Sequence, residues 1–415
     1  MKIVRSFVLP SLLAFSMVSA AIPANAAAGS LDPTFGKGGV AEAKVGFPVA
    51  AALQPDGKIV VLTLNDVVAR FLSNGNLDTS FGNGGSVTLS FATSPVAMAL
   101  QADGKIVLAG RINNNTENVF AVARLNANGS VDTGFGTGGT VTTDMGFPGT
   151  TEAVVIQPDG KILLGGTVLG TDETLPNEVA LVRYNTDGSL DSTFGNSGGF
   201  ANGPGEVEVV SVQGVTTVAI LSDGDILVLN FAAGGGAIAQ FSPTGSLRST
   251  VTSGTIVAAS KGENPVFQGD GSFIVSNGIL VGTARNKDLD TQVARFTATG
   301  QLDPTFKTTV FDLIGEGGSS NSDFLNAVAL QADGKVVLAG SHSHAFANAS
   351  NALVRLNSNG SFDTSFGTNG IVTNKFPAGT NGLDLVLIQT DGKILALGTA
   401  GSNFTNLVLE RYLAQ

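Results

Sequence analysis

Seven Asp-Gly pairs punctuate the 415-residue chain, beginning at Asp56, Asp103, Asp159, Asp223, Asp270, Asp333 and Asp391. Seven residues before each of these aspartates stand Val49, Val96, Glu152, Thr216, Glu263, Asn326 and Asp384. The last five carry side-chain oxygens. If the copies are arranged around an axis, Glu152, Thr216, Glu263, Asn326 and Asp384 converge at one end of it as a candidate binding ring. Carboxylate and amide oxygens of that kind suit calcium or another hard divalent cation, so Glu152, Glu263, Asn326 and Asp384 are candidate metal ligands. The competing reading is a solvated polar rim where strands leave the core.

A second constellation pairs opposite charges. Arg and Asp recur eight residues apart at Arg70 and Asp78, Arg124 and Asp132, Arg183 and Asp191, Arg295 and Asp303, and Arg355 and Asp363. Arg411 has no following Asp, and Asp32 waits at the other end of the chain. In the fourth copy both positions change together, to Gln240 and Arg248. A carboxylate matched to each guanidinium neutralises it, which favours structural ion pairs with bidentate geometry over an anion-binding row.

Other chemistry is thinly represented. There is no Cys, and the two histidines, His342 and His344, offer half a zinc site with no third ligand in view. Asn185 to Asp191 is faintly similar to a calcium loop but lacks its bidentate Glu. No phosphate loop or dinucleotide fingerprint is present.

The elements that position these residues are short strands. Residues 98–110 and 328–340 are near-identical, with apolar runs flanking the Asp-Gly turn, which is a strong hairpin signal. The second copy predicts strands over 96–101, 105–112, 119–126 and 140–143. Four antiparallel strands repeated roughly every 55 to 60 residues is the content of propeller blades. The last copy stops at Arg411-Tyr412-Leu413, before its fourth strand, while residues 29–45 supply the missing piece. The fold class expected is therefore all-β: a seven-bladed propeller of four-stranded antiparallel blades. Pairing of residues 40–45 with 406–413 would close it and remove an exposed edge. On each inner strand the third residue before the turn Asp is large (Leu53, Leu100, Ile156) and the fourth mostly small (Ala52, Ala99, Val155), so neighbouring blades can interdigitate.

Composition bounds the rest. Gly reaches 55 residues and Phe 25 against Tyr 2, with 43% hydrophobic and 13% charged residues, which describes a turn-rich folded chain. Residues 1–26 read as a secretory signal peptide: Lys2 and Arg5, an apolar stretch, then Ala24-Asn25-Ala26. Its removal takes the formal charge from −11 to −11 − 2 = −13. Such acidity argues against nucleic acid and anionic membranes. No membrane span is expected after cleavage, and residues 27–415 form a single domain, exported to the periplasm or beyond and expected to be a monomer.

The run Ala-Leu-Gln-x-Asp-Gly-Lys-Ile-x-x-x-Gly, then Ala-Arg-Leu-Asn-x-Asn-Gly-Ser, then Leu-Asp-x-x-Phe-Gly resembles the delta-60 repeat of bacterial exported and surface proteins. The resemblance spans the mature chain and is weakest in the fourth copy and part of the fifth, where Ser272 replaces Lys and Lys307 replaces Gly. It implies a β-propeller-like fold and no established activity. The expected function is a non-catalytic binding or scaffold protein for a protein or glycan ligand. The alternative is a calcium-type, metal-dependent hydrolase or lactonase built on Glu152, Glu263, Asn326 and Asp384.

Overall fold

The computed structural model describes residues 27–415 apart from 90–93, 115, 170–176, 196–204, 210–214, 216, 233–234, 254–264, 284–285, 312–320, 345–349, 375–379 and 402–404. The 1–26 segment thus lies outside the described residues. Every regular element among those described is a strand, and none is a helix able to cross a membrane.

The first strand, β1 (Val40–Ala43), belongs to the last blade. Blade 1 is β2 (Pro48–Leu53), β3 (Ile59–Thr63), β4 (Val67–Phe71) and β5 (Ser86–Thr88). Blade 2 is β6 (Ser94–Leu100), β7 (Ile106–Asn113), β8 (Asn118–Leu125) and β9 (Thr140–Thr143). Blade 3 is β10 (Gly149–Ile156), β11 (Ile162–Val168), β12 (Glu178–Tyr184) and β13 (Glu206–Val209). Blade 4 is β14 (Thr217–Ile220), β15 (Ile226–Ala232), β16 (Gly235–Phe241) and β17 (Leu247–Ser253). Blade 5 is β18 (Val266–Phe267), β19 (Phe273–Thr283), β20 (Asn286–Phe296) and β21 (Thr309–Phe311). Blade 6 is β22 (Asn321–Leu330), β23 (Val336–His344), β24 (Ser350–Leu356) and β25 (Ile371–Asn374). Blade 7 is β26 (Thr380–Ile388), β27 (Ile394–Ala400) and β28 (Asn406–Tyr412), completed by β1.

Closure is antiparallel, with Val40 opposite Glu410 and Ala43 opposite Leu407. The chain is a seven-bladed β-propeller whose two ends share one blade. Blades 5 and 6 are further tied by a parallel bridge from Leu289 to Ser322, which merges their sheets.

The core lies between blades. Leu100 and Met98 pack with Val60, Leu62 and Phe81 of blade 1. On the opposite face of the same strand, Ala97 and Ala99 meet Val154 and Ile156 of blade 3. Alternating large and small faces let each sheet nest on the next at interior density.

Candidate functional site

The turn between the first two strands of each blade is set by its own side chain. Asp Oδ1 accepts the N–H two residues on (Asp103 from Lys105, 3.1 Å), and the following Gly takes positive φ (Gly104, +83°). From that turn, at one face of the ring, the inner strand can be followed back to the opposite mouth.

There the strands do not simply begin. Pairing of β10 with β11 skips from Thr151 to Ala153, leaving Glu152 unpaired in a β-bulge. The same slip leaves out Val49, Val96 and Asp384, and one between Phe324 and Ala327 includes Asn326. The position read from sequence as a strand start is therefore a bulge inside a longer strand. Bulges leave the extra residue outside the ladder and re-aim its side chain. A glycine faces the bulge in four blades: a Cβ on Gly110, Gly166, Gly340 or Gly398 would stand 1.7–2.4 Å from the carbonyl oxygen of Ser94, Thr150, Phe324 or Gly382. The glycine ending the Lys-Ile-x-x-x-Gly motif is what admits that approach, and a lone glycine inside a strand is its sequence signal.

Val49, Val96, Glu152 and Asp384 line one cavity of about 280 Å³ on the ring axis, together with Val218 and Val328. Burial pushes the Glu152 carboxyl up to about 8, against hydrogen bonds from Thr150 and Thr167 and the charge of Arg111. Burial likewise raises Asp384 to about 7. Among the described residues, Glu152 Oε2 and Asp384 Oδ2 are buried without a hydrogen-bond partner. Thr216 and Glu263 lie outside the described residues, and of Asn326 only the backbone, on β22, is placed. His342 and His344 lie two apart on β23, His342 opposite Asp323. Among the described residues no three carboxylates or imidazoles converge as a metal site.

The Arg and Asp pairs lie at the other face. Each Arg Nε donates to Asp Oδ2 at 2.7–2.9 Å: Arg70 to Asp78, Arg124 to Asp132, Arg183 to Asp191, Arg295 to Asp303, Arg355 to Asp363 and Arg411 to Asp32. Each also stacks on a Phe of its own corner, Cζ lying 4.3–5.1 Å from the ring centroid (Phe81, Phe135, Phe194, Phe306, Phe366, Phe35). Nη1 then crosses to the next blade and donates to a main-chain carbonyl at 2.5–3.0 Å: Ala127, Thr186, Pro243, Ser358, Ala414 and Ser73 respectively. The corner residue after the Phe adds a backbone bond in the same direction, as from Gly82 to Asn128. Lys307, in the place of that Gly, makes the same bond to Asn359 through its N–H.

Four blades add a lysine that sequence reasoning passed over. Lys105, Lys161, Lys335 and Lys393 each lie within 4 Å of both the turn Asp and the latch Asp of their blade. Burial opposes ionisation of Asp191, but hydrogen bonds from Lys161 and Thr193 and the charge of Arg183 outweigh it and hold the carboxyl well below its ordinary range. These arginines hold neighbouring blades together and are buried or nearly so.

Blade 4 inverts the pattern. Asp225 stands where five other blades have Lys and blade 5 has Ser272, and it accepts from Gln240 Nε2 at 2.9 Å and pairs with Arg248 at 3.0 Å. The charge is balanced within the blade, yet among the described residues no guanidinium crosses to blade 5. Ile238 stands in for the latch Phe, lying 2.6 Å from where a Cβ on Gly300 would be.

The family model "Domain of unknown function (DUF5122) beta-propeller" matches residues 54–81, 101–135, 157–194, 276–306 and 331–366. Five stretches of the chain are thus similar to the repeat of this β-propeller family. No curated protein sequence matches it. Among solved structures, BamB from Moraxella catarrhalis is similar at 13% identity and TM-score 0.41, over 88% of this chain and 85% of that one. BBS1N, solved in complex with ARL6DN, gives 13% and 0.45 over 92% and 95%. Polysaccharide lyase Uly1 gives 12% and 0.45 over 96% and 94%.

Proposed function

We propose that this chain is an exported, monomeric binding or scaffold propeller that engages a protein or glycan ligand at the face bearing the bulges. The observation that carries this reading is the pair Glu152 and Asp384, aimed into one axial cavity with an unpartnered buried oxygen each. Buried oxygens without donors are costly unless a ligand, cation or proton meets them. The opposite face is occupied by the interblade latches, which leaves the bulge face for recognition. A hard divalent cation, with calcium foremost, is the simplest partner for such oxygens.

The test is thermal melting of the purified mature chain with calcium and with EDTA, repeated on Glu152→Gln. A calcium-dependent rise in Tm that is lost in Glu152→Gln supports the mouth as the binding site. No shift in either protein removes the cation from the reading. The metal-dependent hydrolase draws on the same residues. Calcium-dependent cleavage of a simple ester or lactone, abolished in Glu152→Gln, would replace binding with catalysis.

A further inference from the structure

Blade 4 also differs in its outer strand. β1, β5 and β9, whose ends fall within described residues, run for 4, 3 and 4 residues, whereas β17 runs for 7. The cause is local. In the latched blades the residue before the latch Asp pairs back onto the end of the third strand, as Leu77 does with Phe71. The Asp Oδ1 then captures the N–H two residues on and turns the chain into a corner (Ser80 N to Asp78, 3.1 Å; Thr193 N to Asp191, 3.1 Å). Leu247 pairs with Phe241 in the same way. Arg248 has no acceptor to offer, so no turn forms and the strand runs on to Ser253.

β17 is last in its sheet, and among the described residues no strand pairs with its outer side. Leu247 is 46% exposed and residues 248–250 are exposed beside it. The strand reads Leu-Arg-Ser-Thr-Val-Thr-Ser, with no Pro, Lys or acid to guard the edge. Natural sheets ordinarily blunt long edges, because unpaired N–H and C=O groups template the addition of another strand.

The single charge on the edge indicates the occupant. Arg248 is 53% exposed and meets Asp225 through Nη1, while that carboxylate already accepts from Gln240. Part of the guanidinium fork faces solvent. Antiparallel self-pairing centred on Thr250 would set Arg248 opposite Thr252 and offer the solvent-facing part of its fork no carboxylate, since β17 contains no acid. We propose that β17 is the docking edge for an extended segment of a partner protein, which joins blade 4 as a fifth strand and sets a carboxylate against Arg248.

The probe is a capped synthetic peptide, Thr-Val-Thr-Val-Asp-Val-Thr-Val-Thr, followed by fluorescence anisotropy against the mature chain, with a second peptide carrying Lys in place of Asp. The Asp peptide is expected to bind at least about tenfold more tightly, the scale of one hydrogen bond to a charged group. Amide exchange should slow in 247–253. Thr250→Lys or Ser249→Lys, both at exposed positions, should abolish binding, and Glu152→Gln should leave it unchanged, which separates this edge from the mouth. Equal binding of the two peptides, no binding of the Asp peptide, or indifference to both Lys variants overturns the proposal. So does a concentration-dependent dimer, by sedimentation, that Thr250→Lys dissolves; the occupant would then be a second copy.

Discussion

The junction between blades 2 and 3 and that between blades 4 and 5 solve one problem with opposite charges. At the first, Arg124 holds Asp132, covers Phe135 and reaches the Thr186 carbonyl across the gap. At the second, Asp225 gathers Gln240 and Arg248 within blade 4, and the gap is spanned by packing of Leu227, Leu229 and Ile238 against Phe273 and Phe296. Both arrangements neutralise a buried charge. Only the first also ties two sheets together through an arginine, so among the described residues the ring has six such ties and one seam held by apolar packing.

The largest expected effect removes a tie. Arg124→Ala leaves Asp132 facing a lost partner and should cost about 3–5 kcal/mol in denaturant unfolding, as breaking a buried pair does. Asp132→Ala on top of it should add little, and fully additive losses would dissolve the distinction between tie and seam.

A second prediction sharpens what a tied junction can carry. Between blades 6 and 7, Glu410 is fully buried, accepting from Asn351 Nδ2 at 2.5 Å and from the Tyr412 hydroxyl, which itself accepts from Asn374. Burial raises its carboxyl to about 7, against both hydrogen bonds. Because the folded value lies above the unfolded one, stability from this group is complete at low pH. It falls as pH rises from about 4.5 to 7, by about 1.4 kcal/mol per unit. Glu152 and Asp384 act in the same direction. The latch aspartates, held low, act oppositely, and their contribution is lost only as pH falls below about 4. Melting should therefore be highest near pH 4–5, and Glu410→Gln should flatten the decline toward pH 7. A Tm that rises from pH 5 to 7 would contradict this.

Smaller still is Gly166→Ala, whose Cβ would meet Thr150 O at 2.3 Å and Phe120 Cζ at 2.4 Å. Forcing that bulge should cost about 1–3 kcal/mol and alter any calcium response that depends on Glu152. The smallest effect is expected at the seam. Gln240→Ala should cost about 1.5 kcal/mol, the low end for a hydrogen bond to a charged group because Arg248 still meets the Asp225 carboxylate, in the same denaturant assay that reads Arg124→Ala.

Much of this was legible in the residues. The split blade follows from a last copy that lacks a fourth strand and a first segment that supplies one. The ion pairs follow from a constant spacing that chance does not maintain. The reach of each Arg to the next blade was not legible, because its acceptors are main-chain carbonyls. Ala127, Thr186, Pro243, Ser358, Ala414 and Ser73 share no side-chain character. The bulge was hidden for a related reason: a one-residue slip leaves the apolar pattern nearly intact, and only the facing glycines betray it. Asp225 went unread because it occupies a position that elsewhere holds the opposite charge.

The shared blade fixes an order of events. Val40–Ala43 emerges early in synthesis, but the strand it joins, Asn406–Tyr412, is made only after the strands of the other six blades. The wheel cannot be completed before that strand is made, and Arg411 meets Asp32 and Ser73 only then. Until Asn406–Tyr412 has been made, Val40–Ala43 lacks the strand it pairs with and the ring stays an open arc with a raw sheet edge.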